Sequence, residues 1–195
     1  MNKIKTSIPD VVILEPRVFG DHRGWFSESW NEKTLHNLNI NARFVQDNES
    51  FSRYGVLRGL HFQKGGTAQA KLVRVLVGEV LDVAVDIRYG SPTFGQHVAV
   101  RLSGDNHRQL FIPKGFAHGF VVLSDTAHFA YKCDAFYAPS AEGSISLLDP
   151  ELGIDWIVPK SKRVFSDKDR LAPSFATYRA NPAFFYRGDE KEGDE

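Results

Sequence analysis

Cysteine is nearly missing from this chain: Cys133 is the only one among 195 residues. An internal disulfide is therefore excluded, and folding has no need of an oxidising compartment. Cys133 lies in the apolar stretch His128–Tyr137 and reads as a small buried thiol without a catalytic role. A surplus of either charge is missing too. Lys and Arg together number 24, as do Asp and Glu, so no basic coat points to nucleic acid or an anionic membrane as partner. No window approaches the roughly 20 apolar residues needed to cross a bilayer. The start of the chain, up to Pro9, holds no apolar run of signal-peptide length, so a cytoplasmic protein is expected. No G-x-G-x-x-G follows a strand and no Walker-type loop occurs, so neither a dinucleotide cofactor nor a P-loop is indicated. Metal-binding β-barrels commonly offer His-x-His with a following Glu and another His. Here the first pair is His61-Phe-Gln63, one ligand short, and no metal is expected through His61 and His118.

Helical pattern is also sparse. Asn31 can cap a short helix containing Leu35 and Leu38, and Ser166-Asp-Lys-Asp169 can open another. Strand signals dominate instead. Val11–Leu14, Phe44–Ser52, Val56–Phe62, Lys71–Val77, Val80–Ile87, His97–Leu102, Gln109–Ile112, Ala117–Leu123 and His128–Phe136 are short and rich in β-branched or aromatic residues. Turn residues separate them, which predicts an all-β sandwich or barrel. Apolar residues make up 42% of the chain, enough for one core, and residues 1–187 read as a single domain. The stretch 188–195 is almost entirely charged or Gly and reads as a disordered tail.

Side chains alternate faces along a strand. In Lys71–Ile87, Val73, Val75 and Val77 thus share a face with Lys71, while Val83, Val85 and Ile87 oppose Asp82 and Asp86. Lys71 ends an apolar row. It is either an interior ammonium, which needs a partner, or a lysine whose head snorkels to solvent at the strand end.

Five further stretches hold chemically capable side chains. Val56–Gln63 carries Arg58, His61 and Gln63; Arg58 and His61 have opposite parity, and a bulge at Gly59 would bring both into one cavity. Pro113–Phe120 puts His118 and Phe120 on one face. Arg23–Glu28, close to Phe19, combines Arg, Glu and aromatics such as Phe26, which suits a phosphorylated ligand with a planar ring or else a solvated edge strand. Gln46, Asn48 and Ser50 form a polar ladder facing either a wet cavity or solvent. Tyr131 shares a face with Phe129 and Cys133, and Asp169 sits three residues after Ser166, where a carboxylate supports a helix N-terminus.

Taken together, Arg23–Glu28, Gln46–Asn48, Leu57–Gln63, Gln69–Lys71, Val83–Arg88, Ser91–Gly95 and Ile112–Phe120 resemble, in order and spacing, the dTDP-4-dehydrorhamnose 3,5-epimerase family. The resemblance runs from about Glu15 to Leu171. It implies a cupin-type jelly-roll barrel with a few short peripheral helices, working without cofactor or metal. It also implies a homodimer in which an N-terminal segment carrying Phe26 and Glu28 completes the neighbouring site. The implied substrate is a 4-keto-6-deoxy sugar on thymidine diphosphate, epimerised at C3 and C5 through an enolate.

By the same resemblance, His61 is the base, Asp169 rather than Asp167 its orienting carboxylate, Lys71 the cation beside the enolate, and Tyr131 the acid. Arg58 would hold the pyrophosphate or the keto-sugar. Arg23, Glu28, Gln46 and Asn48 would bind the nucleotide, with Phe19 or Phe26 stacked on thymine. His118 joins the site by motif, and Tyr137 joins at the nucleotide rim. Three alternatives remain at this level: an epimerase acting at one carbon of a related sugar, a non-catalytic sugar-nucleotide binding module, and a metal-dependent oxygenase.

Overall fold

A computed structural model describes residues 1–188; the charged stretch from 189 onward lies outside the described residues. The strands are β1 (Asn2–Lys5), β2 (Val12–Glu15), β3 (Val18–Asp21), β4 (Gly24–Ser27), β5 (Gln46–Arg53), β6 (Leu57–Gln63), β7 (Lys71–Val77), β8 (Glu79–Asp86), β9 (Arg88–Tyr89), β10 (His97–Ser103), β11 (Gln109–Ile112), β12 (Phe116–Val122), β13 (Thr126–Cys133), β14 (Glu142–Ser144) and β15 (Phe184–Phe185). Three short helices join them: α1 (Glu32–Asn37), α2 (Asp167–Arg170) and α3 (Phe175–Ala180).

The all-β jelly-roll expectation holds. A six-stranded sheet runs β1-β2-β11-β7-β13-β5, and a five-stranded sheet runs β10-β8-β12-β6-β14. From β5 to β8 and again from β11 to β14, consecutive strands alternate between the two sheets, so the chain winds around the barrel rather than folding into local hairpins. Gly78 makes one such crossing, with φ +82°, and a Cβ there would collide with the Thr126 carbonyl oxygen.

Both faces of the five-stranded sheet are covered. Val73, Val75, Leu110, Ile112, Ala84, Phe120 and Phe129 form the core between the sheets. On the outer face, Val83, Val85 and Ile87 pack with Leu57 of β6 and with Ile145, Trp156, Phe175 and Tyr178 from the C-terminal region. That cover is why β8 is almost wholly buried, Asp82 and Asp86 included. Trp156 is 1% exposed and its indole N–H donates to the Leu147 carbonyl at 2.7 Å. A side chain of that size, with its polar atom satisfied, holds the C-terminal cover on the sheet.

Local signals place the helices. Asn31 accepts from the Thr34 backbone N–H and caps α1, which buries Leu35; Leu38 falls at the C-cap rather than inside. Ser166 caps α2 by accepting from the Asp169 N–H. Helix α3, the β3–β4 hairpin, β1, β9, β14 and β15 were beyond the strand and helix signals of the sequence. One parity expectation needs correction. Val77 does not share the interior with Lys71 and is 60% exposed. The pairing of β13 with β7 shifts between His128–Val77 and Phe129–Val75, and a strand that slips by one residue turns the following side chain to the other face.

Candidate active site

The cavity inside the barrel is about 580 Å³, within the usual range for a small-ligand site. Its wall brings together Arg58 and His61 from β6, Lys71 from β7, His118 and Phe120 from β12, Phe129 and Tyr131 from β13, Asn48 and Ser50 from β5, and Lys168 and Asp169 from α2.

Strand β6 resolves the parity problem by a bulge. His61 pairs with His118, yet Arg58 pairs with Phe120, so β6 spends three residue steps where β12 spends two. The extra residue turns Arg58 and His61 to the same side. Gly59 lies within it at φ +131°, and a Cβ would stand 2.5 Å from the Gly119 Cα, so glycine is required twice over. Arg58 is then steadied by donating from Nε to Ser52 Oγ at 3.1 Å.

His61 Nε2 lies 2.7 Å from Asp169 Oδ1, and Asp169 Oδ2 accepts from Ser166 Oγ at 2.8 Å. Asp169 is 6% exposed. It is Asp169, not Asp167, that reaches the imidazole, because the Ser166 cap turns the third residue of that turn inward. Burial draws the His61 pKa below the ordinary imidazole value, although Asp169 pulls the other way. A neutral ring that donates Nε2–H to the carboxylate leaves Nδ1 as its basic nitrogen.

Lys71 and Tyr131 sit on the facing sheet, with the ammonium nitrogen 5.9 Å from the centre of the phenol ring. Burial lowers the Lys71 pKa; the carboxylates of Asp82 and Glu142 oppose that fall. Burial raises the Tyr131 pKa, so the phenol keeps its proton through neutral pH. His118 is 7% exposed, and its Nε2 lies 2.9 Å from Asp82 Oδ2. Cys133 is 1% exposed, and burial pushes its pKa up to about 11, which leaves no thiolate at neutral pH.

Gln46 and Tyr137 do not line the cavity but belong to a polar chain along its mouth. Gln46 Nε2 donates to Asn48 Oδ1 at 3.0 Å, the Tyr137 backbone N–H donates to Gln46 Oε1 at 2.9 Å, and the Tyr137 hydroxyl donates to Glu142 Oε2 at 3.1 Å. Glu142 in turn pairs with Lys168 at 2.5 Å. Glu142 and Lys168 escaped the sequence reading because single charged residues on elements of three or four residues carry no periodic signal. Asp82 escaped as well.

Phe19, Arg23, Phe26 and Glu28 are not brought to this cavity. The first three lie on the β3–β4 hairpin and Glu28 directly follows it; Phe19 is 50% and Phe26 69% exposed. Arg23 pairs with Asp21 at 2.6 Å, and Glu28 accepts from the Asn31 amide at 3.2 Å. Among the described residues, no group of three or more His, Cys, Asp and Glu side chains is arranged to hold a metal ion.

Comparison with known proteins identifies the family. The sequence profile described as dTDP-4-dehydrorhamnose 3,5-epimerase matches residues 5–177. The dTDP-4-dehydrorhamnose 3,5-epimerase of Salmonella typhimurium is 59% identical over 171 residues, covering 87% of this chain and 93% of that one. The enzyme of the same name from Pseudomonas aeruginosa is 54% identical over 177 residues, covering 90% and 97%. The crystal structure of a dTDP-6-deoxy-D-glucose-3,5-epimerase from Legionella pneumophila, in complex with dTDP-4-keto-L-rhamnose, superposes with a TM-score of 0.91 at 53% identity and covers 95% of this chain and 98% of that one. With a match spanning nearly the whole barrel and both of its sheets, the chain belongs to the dTDP-4-dehydrorhamnose 3,5-epimerase family.

Proposed function

We propose that this protein is an isomerase that inverts C3 and C5 of a thymidine diphosphate-linked 4-keto-6-deoxy sugar, acting on dTDP-4-dehydro-6-deoxy-glucose to give dTDP-4-dehydro-L-rhamnose. The observation that carries the reading is the placement of a basic imidazole, His61, on one sheet and a protonated phenol, Tyr131, on the sheet that faces it. A sugar ring lying between them meets a base on one face and an acid on the other, which is what inversion at carbon requires.

The chemistry follows from acidity. C3 and C5 both flank the C4 ketone, so removing either C–H proton gives an enolate whose charge rests on the carbonyl oxygen. Neutral His61 takes the proton, and Asp169 stabilises the imidazolium that forms. The Lys71 ammonium faces the developing oxyanion, an interaction stronger in the transition state than in the ground state. Tyr131 returns a proton to the opposite face. No electron is transferred, so the step needs no redox cofactor.

Arg58 and Lys168 give the cavity the positive charge that a diphosphate requires, and the planar fork of Arg58 matches two phosphate oxygens. Asn48, Gln46 and Tyr137 supply the polar rim for the nucleotide, and His118 contacts the sugar side. We further propose a homodimer of a single-unit chain (residues 1–187). In it the β3–β4 hairpin of one subunit carries Arg23, Phe19 and Phe26, with Glu28 behind it, to the neighbouring site. The support is a hairpin that leaves Phe19, Trp25 and Phe26 between 50% and 69% exposed. A cytoplasmic location completes the proposal. It accords with a fold that needs no disulfide, and no helix among the described residues is long and apolar enough to cross a membrane.

The test is incubation with the thymidine-linked 4-keto sugar in heavy water, read by NMR. Two deuteriums in the product, at C3 and C5, are expected. One deuterium would mean an epimerase acting at one carbon, and none would reject the enzyme reading in favour of a binding module.

A further inference from the structure

Asp82 is fully buried in the middle of β8, inside the barrel, where a carboxylate is costly unless it is satisfied. Its Oδ2 meets His118 Nε2 at 2.9 Å. Its Oδ1 is the one buried side-chain nitrogen or oxygen among the described residues with no hydrogen-bond partner. An orphaned carboxylate oxygen in a packed barrel needs a reason. The cationic side chain it can serve is Lys71, half-buried on the facing sheet and short of any salt bridge of its own.

We infer that Asp82 is a positioning residue for catalysis, tying down the His118 imidazole with one oxygen and acting with the other as the counter-charge that keeps the Lys71 ammonium in the site. The inference rests on the epimerase reading and goes one step deeper into the same cavity. Lys71 lines the cavity while Asp82 is buried in the wall behind its lining, so the carboxylate can act on the cation without occupying the space of the substrate. Burial favours the neutral amine, and the Asp82 charge opposes that tendency.

Other titratable groups also face Lys71. Cys133 and Tyr131 approach from β13, Glu142 from β14 and His61 from β6. Cys133 and Tyr131 are uncharged at neutral pH because burial raises both. His61, its pKa lowered by burial, supplies no negative charge. Glu142 is already engaged by Lys168 and the Tyr137 hydroxyl. Asp82 is therefore the carboxylate with an oxygen to spare.

The test is Asp82→Asn, which keeps shape and an acceptor for His118 but removes the charge. Wild-type protein is assayed beside it for deuterium uptake in heavy water, so that a wild type without uptake rejects the epimerase reading itself. With uptake present, kcat of the variant should fall at least about tenfold with KM changed less than about threefold. The alkaline limb of its kcat profile should move down by at least about one pH unit. In a Lys71→Met background, Asp82→Asn should cost little more. A folded Asp82→Asn protein with an unmoved alkaline limb, or with an undiminished cost in the Lys71→Met background, would overturn the proposal. Should the variant not fold, the ζ-nitrogen resonance of Lys71 in the wild type decides. A charged ammonium at pH 7 upholds the inference, and a neutral amine rejects it.

Discussion

His61 and Asp169 stand 108 residues apart in the chain, and their side chains meet at 2.7 Å. One comes from a bulged strand, the other from a four-residue helix capped by Ser166. The pair ties the C-terminal segment to the barrel and at the same time fixes which nitrogen of the imidazole faces the cavity. Removing either partner should show what the other does.

Asp169→Asn keeps the shape of the side chain but loses the charge that stabilises the imidazolium. Deuterium uptake at both carbons should fall by about 100-fold or more, in the range that positioned acid–base groups contribute. Asp167→Asn should stay within about twofold of wild type, because Asp167 does not reach the ring. Equal losses from the two substitutions would contradict the geometry. His61→Ala should abolish uptake at both carbons together.

The pH dependence has a definite sign. The base must be neutral, so activity falls as pH drops through the pKa of His61. Burial places that pKa below the ordinary imidazole value of ~6.5. The acid limb of kcat/KM should therefore lie below ~6.5. Lys71 must be charged, and its lowered pKa puts the alkaline limb below the ordinary lysine value of ~10.4. A profile with its acid limb above pH ~6.5 would speak against a buried His61 as the base.

Tyr131→Phe removes the acid and leaves the base. Product formation should drop by about 100-fold or more while some proton exchange with solvent persists, since His61 can return the proton it took. An unchanged product rate would reassign the acid. Arg58→Lys should weaken substrate binding by about tenfold, because a point charge cannot grip two phosphate oxygens as a planar fork does; isothermal titration with the nucleoside diphosphate checks it.

Gly59→Ala should cost stability and site together. The positive φ and the approach of the Gly119 Cα leave no room for a methyl group. A loss of about 3 kcal/mol in denaturant unfolding is expected from backbone strain and overlap combined. Activity should fall with it, since the bulge is what turns Arg58 and His61 to one side.

Cys133 should be silent toward thiol reagents in the folded protein. It is 1% exposed and burial raises its pKa to about 11, so neither access nor thiolate is provided. Alkylation should appear only on unfolding, and rapid labelling of native protein would show the β13 segment opening.

Much of this molecule was open to sequence reasoning because its signals are local. Short β-branched runs between turn residues specify strands, and Asn31 and Ser166 announce their helices. The inward parity of Lys71 and the shared face of Tyr131 with Cys133 follow from alternation alone, as does the need for a bulge to reconcile Arg58 with His61. Alternation failed at Val77, where a shift of register interrupts it, because register depends on the partner strand and not on the strand itself.

Other features were decided only when the sheets closed. That His61 faces Tyr131 across a ring-sized space depends on which strands alternate between sheets, a long-range property no stretch of ten residues contains. The polar ladder of Asn48 and Ser50 turned inward because β5 pairs with β13 over the cavity, not because of its own composition. Alternation put Asp82 opposite Val83 and Val85, and only the C-terminal cover over their face decided that Asp82 points into the barrel. The amino-acid order settled the elements and the residue types that carry the chemistry. The closing of two sheets on each other settled which of those residues share a dielectric and a substrate, because packing, unlike propensity, is a contact between distant parts of the chain.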